Sequence, residues 1–209
     1  NILPLWLIFI IATLNCCLAY LPSHEAQHGN IIKRGTRFFW VNELVGYLSV
    51  LPLLTGYKLL KETHMLHHKY TNVPEKDPDI GTKSNGFFHS LWVCGVKLRQ
   101  PNAGYGLQSD FYRENISSRA FKEHLIFFWF HWILLAFLCL SGHGLVVIAI
   151  WWLPRLIGTA YLQITLSFLP HKPMEKVGRY RDTRGWKATT GTILTCLLYT
   201  SPSPRDLLK

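Results

Sequence analysis

The chain is poor in charge. Only 16% of its 209 residues are Asp, Glu, Lys or Arg, against 49% hydrophobic and 14% aromatic, which argues against a soluble globule and for one membrane-embedded domain. None of the five cysteines forms a CxxC pair, and three lie in apolar runs, so reduced thiols are expected rather than a disulfide framework. There is no repeat of solenoid period, no extended low-complexity segment, and no flavin or iron–sulfur signature. Acidic residues are scarce, 12 against 22 Lys and Arg, for a formal charge of +10. In a soluble protein that excess would raise the question of nucleic acid, but no reading motif accompanies it and no nucleic-acid partner is expected. The chain starts at Asn1 inside an apolar run, so a preceding segment is expected, and the run cannot be read as a signal peptide with its charged n-region.

What is present is hydrophobic length. Leu3 to Leu21 is nearly unbroken apolar sequence, about the 20 residues a helix needs to cross hydrocarbon. A second run covers Leu125 to Leu140. After the turn "SGHG" a third extends from Leu145 to Leu169, interrupted at Pro154 and Arg155, and the pair reads as a transmembrane hairpin with a proline-kinked return. Phe38 to Leu60 is apolar but carries Asn42, Glu43, Gly46, Pro52 and Gly56. Two full crossings need more than about 40 residues, and the stretch from His28 to His64 is shorter, so this part is expected to be re-entrant or interfacial. Arg155 is the only basic residue inside a span, and the turn "SGHG" has none. By the positive-inside pattern, the side bearing His24 and His64 is then cytoplasmic or its organellar equivalent. The fold class expected is all-α and integral to the membrane, with a histidine-rich metal site on the cytosolic face.

The ten histidines are unevenly distributed. His24 and His28 in "HEAQHG" are i and i+4, and His64, His67 and His68 in "HMLHHKYTN" are i, i+3 and i+4, so each set lies on one helical face. "HEAQH" alone satisfies the HExxH pattern of zinc proteases, with Glu25 as the base that activates water. Five imidazoles on one predicted face exceed what one catalytic zinc takes from protein, and imidazole also suits iron. An intramembrane zinc protease and a degenerate, non-catalytic metal-binding protein are the alternatives that these residues leave open.

"HEAQHG", Asn42 in "VNELVG" and "HMLHHKYTN" resemble the first two histidine boxes and the intervening asparagine of the membrane fatty acid desaturase superfamily, which includes carotenoid hydroxylases. "DPD" at 77 to 79 and "FLPHKPMEKVGRYRDTR" from Phe168 look more like the carotene hydroxylase branch. The resemblance implies that His24, His28, His64, His67, His68 and His171 are ligands of two non-haem irons, with Glu25 and Asn42 in supporting or catalytic roles. It also implies O2-dependent removal of hydrogen from a lipid C–H bond, by desaturation or hydroxylation of a fatty acyl chain or a carotenoid ring. Electrons would come from a carrier such as ferredoxin or cytochrome b5, to which a basic surface is suited, although lipid headgroups are an equal claimant. Glu25 would orient an imidazole N–H, and Asp77 and Asp79 are open either to that role or to plain solvation. His89, His124, His131 and His143 match no box and are expected in loop, interface or packing roles. Trp129, Trp132, Trp151 and Trp152 are candidates for lining a lipid channel or anchoring at the interface.

The resemblance runs to about Thr195, so residues 1–195 are read as one desaturase-like domain. The family's last HxxHH box does not follow "TRGWKATTGTILT". Cys196 to Asp206 resemble instead the in-frame translation of a sequencing adapter, so 196–209 is expected to be a non-native tail. With fewer imidazoles than the family supplies, the chain as written is expected to be inactive.

Overall fold

A computed structural model describes residues 3–53, 55–99 and 110–175; the domain limit at 195 and the tail lie outside these residues. The described residues are mostly helical and contain no strand. The chain divides into two compact units, residues 1–62 with 116–159 and residues 63–115 with 160–209.

The first unit opens with α1, Leu5–His28, which runs beyond the expected end at Leu21 and so carries both histidines of "HEAQHG" on its last turns. Pro22 lies inside it without ending it. The helix stops at Gly29, whose left-handed backbone (φ 71°, ψ 31°) lets its N–H and that of Asn30 return to the carbonyls of Ala26 and Glu25, both at 3.0 Å. The stretch expected to be re-entrant is two helices, α2 (Trp40–Val50) and α3 (Tyr57–Tyr70), separated at Pro52 and Gly56. At 1.5 Å per residue α2 rises only about 16 Å, roughly half a hydrocarbon core. It packs on α1, and Ala26, Val50 and Tyr57 form a buried cluster with Tyr20, Tyr47 and Leu60 around it. Gly46 makes this possible, since a Cβ there would stand 2.2 Å from the Tyr57 ring.

Two carboxylates tie α3 to α6 (Ser118–Leu138). Glu62 accepts from the Ser117 N–H at 2.6 Å and its hydroxyl at 2.7 Å, and Ser117 in turn caps α6 by accepting from the Ala120 N–H. Reciprocally, Glu123 of α6 accepts from the Lys58 N–H in the first turn of α3 at 3.0 Å and from the Tyr47 hydroxyl at 2.7 Å. Each carboxylate therefore satisfies otherwise unpaired donors at the other helix's positive end.

The two apolar runs expected to form a hairpin do fold back as helices on either side of a reversal. The chain reverses at Gly142 (φ 81°), and His131 packs on Trp151 and Trp152 with ring centroids 5.0 and 5.4 Å apart, pairing positions on opposite sides of the turn. The return contains α7 (Gly144–Val147), α8 (Leu153–Leu162) and α9 (Leu169–His171). Wide i→i+5 turns occupy Ile148–Trp152 and Gln163–Phe168, each ending two residues before a proline. Pro154 and Pro170 lack an N–H and crowd the carbonyls four residues back, Ile150 and Leu166, and the widened turns contain both carbonyls. Arg155, the charge inside the run, donates to the Leu53 carbonyl at 3.2 Å and lies over the Trp152 ring.

Leu5–His28 and Ser118–His171 are long and apolar enough to cross a membrane, the second reversing at Gly142. Their large apolar side chains face outward, among them Trp6, Leu14, Ile126, Trp129, Ile133 and Phe137, a surface stable against hydrocarbon and not against water.

In the second unit the latter part of α3 leads through a tight turn into α4 (Phe87–Gly95) and, later in the chain, α5 (Asp110–Asn115). Val93 and Cys94 of α4 pack on Ile164, with Leu98, Ala160 and Leu169 around them. Cys16, Cys17, Cys94 and Cys139 form no disulfide with one another, and Cys196 lies outside the described residues.

Gly46→Ala is expected to cost about 1–3 kcal/mol by overpacking Tyr57. Tyr57→Phe should be neutral or stabilising, because the buried Tyr57 hydroxyl finds no hydrogen-bond partner among the described residues. Thermal melts of both variants in detergent check the contrast, with the first lowering Tm and the second not.

Candidate metal centre

In the first unit His24 and His28 stand on successive turns of α1, ring centroids 4.7 Å apart and ring nitrogens within 4.8 Å of one another. His24 is buried and its Nδ1 meets Glu25 Oε1 at 3.0 Å, while Glu25 Oε2 accepts from the Asn30 amide at 2.9 Å. An Nδ1–H donated to the carboxylate makes Nε2 the nitrogen that carries the lone pair. Asn42, on α2, is almost fully buried. Its Oδ1 accepts from the N–H groups of Ile31 and Ile32 at 3.1 and 3.3 Å, and its Nδ2 donates to the carbonyls of Ile32 and Phe39 at 3.0 Å. The whole amide is spent on holding the loop that follows His28.

The second unit holds a histidine cluster. His64 and His68 are one turn apart on α3 with their Nε2 atoms at 2.9 Å; His67, on the same helix, has its Nε2 3.0 Å from that of His171, 104 residues later. Such a separation serves either an N–H···N bond or two neighbouring positions on one ion: nitrogens bound at right angles, about 2.1 Å from a metal, stand about 3.0 Å apart. The donor set is all imidazole, which suits iron or zinc.

Sequence spacing does not reveal what supports His67. Asp77, 1% exposed, accepts from its Nδ1 at 2.7 Å, from the Asn72 N–H at 2.7 Å and from the Asp79 N–H at 2.8 Å. The "TN" ending of the motif makes this contact possible. Thr71 donates its hydroxyl to the His67 carbonyl at 2.7 Å, closing α3, and Asn72 takes the left-handed conformation (φ 62°) that turns the chain back. Asp79 then accepts from the Ser167 hydroxyl at 2.7 Å, which connects this turn to the segment leading to His171. Ser167 was not singled out by sequence, and nothing local marks it. Tyr112, equally unmarked, packs nearby; burial, reinforced by the charges of Asp77 and Asp79, pushes its hydroxyl up to about 12. Among the histidines outside the boxes, His131 is buried against tryptophans and His89 accepts from the Asn85 N–H.

With this geometry in view, residues 1–200 match the family described as Fatty acid desaturase. The chain belongs to that family. It is similar to an sn-1 oleoyl-lipid 12-desaturase of Picosynechococcus sp., 32% identical over 98 residues that make up 44% of this chain and 26% of that protein. It is likewise similar to an sn-1 oleoyl-lipid 12-desaturase of Anabaena variabilis, 33% identical over 28% of this chain and 15% of the relative. A Delta(12) fatty acid desaturase of Caenorhabditis elegans is 29% identical over 34% and 17%. The chain thus covers about a quarter or less of the length of these relatives. No solved structure matches.

Because Asp77 fixes both the tautomer and the orientation of His67, Asp77→Asn is expected to weaken metal retention by about 10–100-fold. Titration with a competing chelator, following metal bound per chain in wild type and variant, measures it; unchanged retention would show that the carboxylate serves only the turn.

Proposed function

We propose that this chain is part of a membrane di-iron oxidoreductase that uses O2 to introduce a double bond into the acyl chain of a lipid. The observation that carries the reading is the twin pairing of His64 with His68 and of His67 with His171, each with Nε2 atoms about 3 Å apart, in a member of the desaturase family. On this reading the irons are held by His24, His28, His64, His67, His68 and His171. Bound iron supplies the redox chemistry that activates O2 against an unactivated C–H bond. The chain's own residues do the positioning. Asp77 keeps the Nδ1 proton on His67, and Glu25 does the same for His24. Asn42 acts at one remove, by clamping the loop behind His28.

An acyl substrate is favoured because the curated relatives are named as oleoyl-lipid or fatty acid desaturases. The outward apolar faces of α1 and α6 support a multi-pass arrangement with access from the bilayer. The lysine and arginine distribution supports placing the histidines on the cytoplasmic or equivalent side, where a carrier such as ferredoxin or cytochrome b5 would deliver electrons. The protease alternative finds little support, since both oxygens of Glu25 are engaged, by His24 and Asn30.

Expressed with iron in a host rich in oleoyl lipids, the protein is expected to carry two irons. Profiling host lipids should reveal a new double bond when the chain is extended to include a last HxxHH box and a reductase and carrier are supplied, and none from residues 1–209 alone. In the extended chain His67→Ala and His68→Ala should each lower bound iron and product at least about tenfold. A single zinc without iron would overturn the proposal, and hydroxylated lipid without desaturation would reassign the reaction.

A further inference from the structure

We propose that the loop after α1 is a docking site for anionic phospholipid headgroups. Between Glu25 and Glu43 there is no acidic residue, whereas Lys33, Arg34 and Arg37 fall within five positions. All three are exposed, as are the adjoining Phe38 and Trp40, the first 48% and the second 58%. Exposed cations beside exposed aromatic rings are what the boundary between headgroups and acyl chains accommodates: cations reach phosphate while Phe and Trp enter the interface. An acidic electron carrier would meet the same charges, but the loop follows a helix long enough to cross a bilayer, which sets Phe38 and Trp40 where aromatic rings enter the lipid interface, so a lipid surface is the better complement.

The loop is also presented in a defined shape. The four hydrogen bonds of Asn42 hold its two ends together, Gly29 and Gly35 take left-handed turns, and the Arg37 guanidinium lies 4.5 Å over the Phe38 ring. It leaves directly from the C-terminus of α1, a helix long enough to cross a bilayer, so its place at a membrane boundary follows from chain continuity. The inference rests on the membrane reading above and not on metal or catalysis.

The test compares the full chain in nanodiscs of phosphatidylcholine with nanodiscs of equal parts phosphatidylcholine and phosphatidylglycerol, following amide hydrogen exchange by mass spectrometry. Each cation near an anionic surface is worth roughly a factor of five, so exchange across residues 33–40 should slow by about tenfold or more with phosphatidylglycerol. High salt should remove the effect, as should K33Q/R34Q/R37Q, while F38S/W40S should reduce it with the charges kept. The α4 amides serve as an internal control. Equal exchange in both discs overturns this inference alone. Protection that appears only on adding ferredoxin or cytochrome b5 also overturns it, in favour of a protein partner. Failure to insert into discs overturns the membrane reading and this inference together.

Discussion

A buried carboxylate bonded to a buried imidazole organises the second unit. Among the described residues no Lys or Arg pairs with Asp77; its carboxylate accepts from three N–H donors, of His67, Asn72 and Asp79, a geometry that tolerates little displacement. To deliver those donors the chain must close α3 at Thr71, reverse at Asn72 and return within a few residues. The same turn places Asp79 to accept from Ser167, in the wide helical turn that leads to His171. The imidazole pair His67–His171 is therefore a consequence of how one carboxylate is solvated by backbone.

The first unit obeys a different constraint. Its long helices turn their apolar side chains outward, and its polar contacts are internal: the reciprocal caps of Glu62 and Glu123, and the clamp made by Asn42. Several polar groups are satisfied within the unit in this way, while the buried Tyr57 hydroxyl, His124 Nδ1 and His131 Nε2 find no hydrogen-bond partner among the described residues. The Asn42 clamp fixes the loop behind His28, and fixed support is what a metal-binding side chain needs to keep its geometry.

Much of this was legible in the order of residues. Helical spacing put His24 beside His28 and His64 beside His68, because i and i+4 positions share a face whatever surrounds them. The hairpin could be read from two apolar runs around "SGHG". Other features were harder. Pro154 marked an irregularity, but how a helix absorbs a proline depends on its neighbours, and here the turn before it widens to i→i+5. Asn42 was identifiable as a marked residue, yet its four hydrogen bonds to the chain around it show a clamp that no motif describes. Asp77 could not be separated from an ordinary solvated acid, since burial is a property of the folded chain.

By itself the sequence determined the local geometry and the solvent: which imidazoles share a helical face, and which segments are too apolar for water. Both follow from short-range periodicity and composition. Only the tertiary structure decided that His171 meets His67 across 104 residues and that Asp77 rather than Asp79 holds the imidazole proton. Those contacts depend on where turns at Asn72 and the wide segment Gln163–Phe168 send the chain, and a turn's direction is settled by packing that no single stretch of residues contains.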